Sequence, residues 1–126
     1  MKLRGVRTLA LGAAVTSAAG GMVGVAAGPA NASLAECGSG YLCAFAAANY
    51  NATPGRVAGN NNDLLQYPSF DNAVSIFNNG ASCGVTIWNG RNRTGTSVYL
   101  PRGTGYSNLN TQNPPFYKNV ASNHWC

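Results

Sequence analysis

Pro68-Ser69-Phe70-Asp71-Asn72-Ala73-Val74-Ser75 and Pro115-Phe116-Tyr117-Lys118-Asn119-Val120-Ala121-Ser122 are two versions of one segment, 47 positions apart. Proline, an aromatic (Phe70 and Tyr117), Asn, two small apolar residues and Ser recur in register. Upstream, Leu42-Cys43-Ala44-Phe45 followed by Asn49 corresponds to Val85-Thr86-Ile87-Trp88 followed by Asn92, 43 positions apart. A loop absorbs the difference between the two offsets. Copy one runs over about 37–80 and copy two over about 81–126, the mark of a fold built by repetition.

Each copy has the same layout. A short apolar strand leads to a polar Asn/Gly-rich turn at 46–55 or 89–95, and a second strand follows near Arg56-Val57 or Ser97-Val98-Tyr99-Leu100. Then comes a longer loop with proline, and a last strand starts at the Asn-x-x-Ser segment. Val85-Thr86-Ile87-Trp88 and Ala73-Val74-Ser75-Ile76-Phe77 alternate with period two, as half-buried strands do. No segment beyond residue 32 carries a helical stripe. Four strands per copy predict an all-β, two-sheet sandwich with Greek-key connections.

The N-terminus reads as an export signal over 1–32. Lys2, Arg4 and Arg7 are followed by small and apolar residues, and Ala30-Asn31-Ala32 matches an A-x-A cleavage site. The stretch is rich in Ala and Gly and poor in the residues that favour membrane insertion, so no membrane association is expected after its removal. The remaining 33–126 is long enough for one domain with a modest core. It carries Arg56, Arg91, Arg93, Arg102 and Lys118 against Glu36, Asp63 and Asp71, a net charge of +2. That is too weak for a nucleic-acid footprint.

All four cysteines, Cys37, Cys43, Cys83 and Cys126, lie in the exported part, and an even count in a short secreted chain implies two disulfides. Three pairings exist. Cys37–Cys43 with Cys83–Cys126 is favoured, because the intervening Gly38-Ser39-Gly40-Tyr41-Leu42 folds back readily. In the loop-entropy account the small ring is worth about 2.4 kcal/mol and the large one about 4 kcal/mol. A zinc site does not fit the cysteine spacing or the single histidine, His124.

The chain resembles a βγ-crystallin-type double Greek key. More closely, it resembles the secreted bacterial peptidase-inhibitor family thirty-six, the streptomycete-type metalloproteinase inhibitors. The residues that carry this are Cys37-Gly-Ser-Gly-Tyr-Leu-Cys43, the turn at Phe45…Asn49-Tyr50, and Phe70-Asp71-Asn72-Ala73-Val74-Ser75. Copy two adds Trp88…Asn92…Gly95, Tyr106-Ser107-Asn108-Leu109 and Asn119-Val120-Ala121-Ser122. The resemblance implies a first hairpin folded over each sheet, with Phe45 or Trp88 packed beneath it. It places Asn51 and Thr94, with Gly95 next, at the positive-φ turn position, and it has Ser75 and Ser122 hydrogen-bonding back to the hairpin. It also implies an extracellular protease as partner and no catalysis.

The residues agree with a non-enzymatic role. One imidazole, three scattered carboxylates and no free thiol offer no positioned acid–base pair or nucleophile. For inhibition, the expected element is the loop Asn89-Gly90-Arg91-Asn92-Arg93-Thr94, entering the enzyme as an extended strand, with its arginines lacking an obvious partner in sequence. Family inhibitors resemble one another in a longer, disulfide-closed loop in copy two, but this chain has no cysteine between Cys83 and Cys126. The alternative is a non-inhibitory crystallin-type module that binds a cell-surface ligand, or calcium weakly through Asp71, Asn72, Ser75, Asn119 and Ser122. Ile76 and Lys118 stand where that calcium motif would have oxygen donors. Beyond this weak calcium, no cofactor is expected. The protein is expected to act as a monomer, secreted to the exterior, with the sequons at Asn31, Asn51 and Asn92 unglycosylated in a bacterium. An aromatic carbohydrate-binding patch among Trp88, Tyr99, Tyr106 and Trp125 stays open, because their exposure has no local signature.

Overall fold

The computed structural model describes residues 33–126, so the expected signal over 1–32 lies outside the described residues. Seven strands form two antiparallel sheets: β1 (Tyr41–Phe45), β2 (Gly55–Val57), β3 (Ser75–Asn79), β4 (Val85–Gly90), β5 (Thr94–Leu100), β6 (Gly105–Tyr106) and β7 (Ser122–Trp125). Sheet I has the order β2-β1-β3-β6 and sheet II the order β5-β4-β7.

The Greek-key crossing is visible in two exchanges. Strand β6 belongs to copy two but pairs with β3, Ile76 opposite Tyr106 and Phe77 opposite Gly105. Conversely, Asn61 of copy one bridges Asn123 on β7. Four short strands per copy were expected, and the exchanged segment of copy one is reduced to an isolated bridge. Gly59-Asn60-Asn61-Asn62 has low strand propensity and makes a single bridge, held by side-chain bonds such as Asn61 Nδ2 to Asn123 Oδ1 at 3.0 Å.

The alternation read from sequence sets the faces. Leu42, Ala44, Val57 and Ile76 of sheet I meet Val85, Ile87 and Leu100 of sheet II in one apolar core. Leu64, Phe70, Leu109, Phe116 and Val120 close its ends from the connecting loops. Two one-turn helices, Pro68–Asp71 and Leu109–Gln112, lie in those loops, where sequence showed no helical stripe. Each is four residues long, too short to display a period of 3.6, and proline at the start of the first supplies a ready helical φ.

The repeat register needs one correction. The aligned aromatics are Phe70 and Tyr117, but the fully buried ones are Phe70 and Phe116. Lys118 adopts a left-handed conformation (φ 55°), and the chain there turns one residue out of step with copy one. Two buried asparagines are satisfied. Asn78 donates to Leu100 O (2.9 Å) and accepts from Gly80 N (2.7 Å), and Asn123 donates to Gly59 O (3.0 Å).

The outer face of sheet I carries a second apolar cluster. Cys37, Cys43 and Phe45 are buried there, packed against Leu34, Tyr41, Tyr50 and Phe77. The disulfides are Cys37–Cys43 and Cys83–Cys126. The first ties the N-terminal segment down onto this face, and the second ties the chain end to the loop before β4.

Candidate functional site

The 89–94 segment joins β4 to β5, with a register shift between Trp88 and Gly90. It is a folded hairpin rather than the expected extended strand, because Asn92 (φ 57°) and Arg93 (φ 60°) are consecutive left-handed residues. Asn tolerates that region and Arg does so less readily, so neighbouring bonds must hold it. Asn92 N donates to Asn62 O (2.8 Å). Arg93 N donates to Ser122 Oγ (2.9 Å), and Ser122 Oγ donates on to Gly90 O (2.7 Å). Thr94 Oγ1 donates to Arg91 O (2.7 Å), and Asn89 Oδ1 accepts from Thr96 N (2.8 Å). Arg91 has a partner that sequence reading missed, for its Nε donates to Asp63 Oδ1 at 2.9 Å. The two residues lie 28 apart, and no local pattern links them.

Copy one repeats this hairpin. Asn49 (φ 59°) and Tyr50 (φ 58°) are its left-handed residues. Ser75 Oγ accepts from Tyr50 N (3.1 Å) and donates to Ala47 O (2.7 Å). The serine roles implied by the resemblance are thus met, whereas the turn position is displaced. Asn51 sits at φ −98°, and Thr94 already belongs to β5. The strained pair lies one residue earlier in each copy, because the hairpin bends at Asn49-Tyr50 and Asn92-Arg93. Tyr50 packs edge-on against Phe45 and Phe77 with ring centroids 5.4 and 5.7 Å apart. Burial pushes its phenol above the usual tyrosine range.

The calcium candidates lie on two neighbouring segments, joined by Lys118 N to Ala73 O (2.7 Å) and Val120 N to Phe70 O (3.4 Å). Asp71 and Asn72 are exposed, and Asn72 Nδ2 donates to Pro68 O (2.9 Å). Asn119 N is bonded to Phe116 O (3.0 Å). Ser75 and Ser122 already spend their hydroxyl protons on the hairpins. Lys118 occupies the place of a carboxylate and lays its ammonium over Tyr117, 5.4 Å from the ring centre. One carboxylate and committed hydroxyls fall short of the six to eight oxygens calcium prefers. Among the described residues no group of three or more His, Cys, Asp or Glu side chains could hold a metal. His124 is half-buried on β7 opposite Thr86, and Asp63 faces Arg91.

The sequence over residues 30–100, more than half the chain, matches the family described as peptidase inhibitor family I36. The chain belongs to peptidase inhibitor family I36. Family I36 membership makes it a protein of the inhibitor class rather than an enzyme, with a protease as partner. No curated protein matches the sequence. Solved structures similar to this I36 chain are βγ-crystallin folds. A βγ-crystallin from Ciona intestinalis superposes with a TM-score of 0.58 at 16% identity, covering 69% of this chain and 100% of that one. Spherulin 3a from Physarum polycephalum gives 0.54 at 18% identity, covering 70% and 84%. IPSE/alpha-1 from Schistosoma mansoni eggs gives 0.55 at 16%, covering 71% and 87%. Identities this low establish the fold alone. The two disulfides and the I36 membership fit an extracellular protein.

Proposed function

We propose that this protein is secreted as a monomer and blocks an extracellular protease by presenting the 89–94 hairpin to the enzyme. The observation that carries the reading is the pre-organisation of that hairpin. Its backbone is held at both left-handed residues by Asn62 and Ser122, while Arg91, Asn92 and Arg93 remain exposed. A loop already ordered before binding loses little conformational entropy on docking, and this raises affinity without adding contacts. Internal hydrogen bonds do here what a disulfide-closed loop would do. The hairpin would meet the enzyme as a folded turn bearing two cations.

The test is a titration of the oxidised protein against a thermolysin-type metalloprotease and a subtilisin-type serine protease. Saturable inhibition of one of them supports the reading, with Arg93→Ala weakening it. No inhibition by micromolar folded protein would overturn it.

A further inference from the structure

The two halves of the molecule differ on the outer faces of their sheets. In sheet I the outward residues Cys43, Phe45 and Phe77 lie beneath Leu34, Cys37 and Tyr50. The internal repeat maps Cys43 to Thr86, Phe45 to Trp88 and Tyr50 to Arg93 by the 43-residue offset, and Phe77 to His124 by the 47-residue offset. Sheet II has no counterpart of the covering segment, since the positions equivalent to Leu34 and Cys37 are Phe77, on β3 itself, and Gly80, just past its end. Away from the 89–94 hairpin, which buries Ser122, its outer face is therefore uncovered, with Ser97 and Tyr99 exposed and Thr86, Trp88 and His124 half-buried. Tyr99, Thr86 and His124 form one row across β5, β4 and β7, and Ser97, Trp88 and Ser122 the next. Tyr99 is 56% exposed, the most exposed large apolar side chain among the described residues.

Tyr99 is also positioned. Its ring lies across Gly84, where a Cβ would collide with its hydroxyl end. In sheet I the equivalent pair is Tyr41 with Arg56 stacked over it at 5.2 Å. The aromatic has moved from the first strand to the second, and glycine leaves room beneath it.

Arg56 stacks on Tyr41, Lys118 on Tyr117, and Arg91 pairs with Asp63. Among the described residues Arg93 and Arg102 have neither an ion pair nor a ring, and they flank the two ends of β5. No acidic residue occurs in β4, β5 or β7.

We infer that the outer face of sheet II is the second half of the protease-binding surface. It receives an apolar side chain of the enzyme where Leu34 sits in sheet I, with enzyme carboxylates over Arg93 and Arg102. This rests on the inhibitory reading above and extends it from the hairpin onto Thr86, Trp88, Ser97, Tyr99 and His124. A second copy is disfavoured as occupant, because it would bring these unpaired arginines against their own kind.

The experiment compares the wild type with Gly84→Ala, Ser97→Glu and Ser97→Lys, each confirmed to hold two disulfides by mass and to melt as the wild type does. Ser97 is exposed, so neither of its variants should disturb folding. Gly84→Ala displaces Tyr99 and is expected to weaken inhibition about tenfold. Ser97→Glu should weaken inhibition similarly and Ser97→Lys should not, since only the glutamate opposes an acidic partner. Equal inhibition by all four proteins would overturn the inference and leave the inhibitory reading standing. A wild type that inhibits neither protease overturns both. If that wild type instead sediments with insoluble chitin or cellulose and Gly84→Ala does not, the face is a glycan platform and the protein-partner assignment is wrong.

Discussion

Ser75 and Ser122 hold the two folded hairpins by the same pair of hydrogen bonds. Each hydroxyl accepts the N–H of the second left-handed residue, Tyr50 or Arg93, and donates to the carbonyl three residues earlier, Ala47 or Gly90. Both serines are buried. The repeat seen in sequence is therefore a repeat of one device, a serine on the last strand that locks the first hairpin.

Removing either hydroxyl leaves a part-buried N–H and carbonyl without their partner. Ser75→Ala and Ser122→Ala are each expected to cost about 1–3 kcal/mol, a fall in melting temperature of roughly 4–8 °C per kcal/mol in a domain of this size. Thermal denaturation measures the loss. Ser122→Ala should also weaken inhibition by freeing the 89–94 hairpin, while Ser75→Ala should leave it intact.

The Arg91–Asp63 pair predicts an asymmetry. Its side chains are 58% and 42% exposed, and exposed pairs contribute about 0–1 kcal/mol. Asp63 Oδ1 also accepts from Leu65 N (3.1 Å), an intra-loop bond that Arg91 lacks. Asp63→Ala should therefore lower stability more than Arg91→Ala. Equal losses in a denaturant titration would contradict this.

Tyr50 makes stability sensitive to alkali. Its folded-state phenol titrates above the unfolded one because burial disfavours the phenolate. The unfolded state therefore releases its proton first as pH rises, so stability is unaffected by this group below about pH 10 and declines above it as the unfolded chain ionises. Tyr50→Phe should flatten this alkaline decline in a pH series of denaturation curves.

Each disulfide should contribute differently. Replacing Cys83 and Cys126 by Ser is expected to cost about 4 kcal/mol from loop entropy, against about 2.4 kcal/mol for the smaller ring. Replacing Cys37 and Cys43 has a further consequence, because both are buried against Phe45. Their loss should uncover the outer face of sheet I, read as increased binding of a hydrophobic dye by the folded protein.

Calcium, with one carboxylate and committed serines, is expected to bind no tighter than millimolar. Micromolar calcium should leave the melting temperature unchanged, and any rise at millimolar calcium should vanish in Asp71→Ala.

By itself the sequence determined the repeat, the all-β class, the faces of β3 and β4, the favoured cysteine pairing and the serine positions. These rest on short-range patterns: period-two alternation, Asn and Gly at turns, and identical residues at constant offset. Tertiary structure alone decided the rest. The left-handed pair at Asn49-Tyr50 and Asn92-Arg93 is fixed by bonds from Ser75, Asn62 and Ser122, far along the chain. Phe116 is fully buried while Tyr117 packs only at the edge of the core, where the backbone turns left-handed at Lys118. Arg91 finds Asp63 only when the loops of the two copies come together. The uncovered face of sheet II likewise has no sequence signature, for it follows from a covering segment that reaches one sheet and not the other.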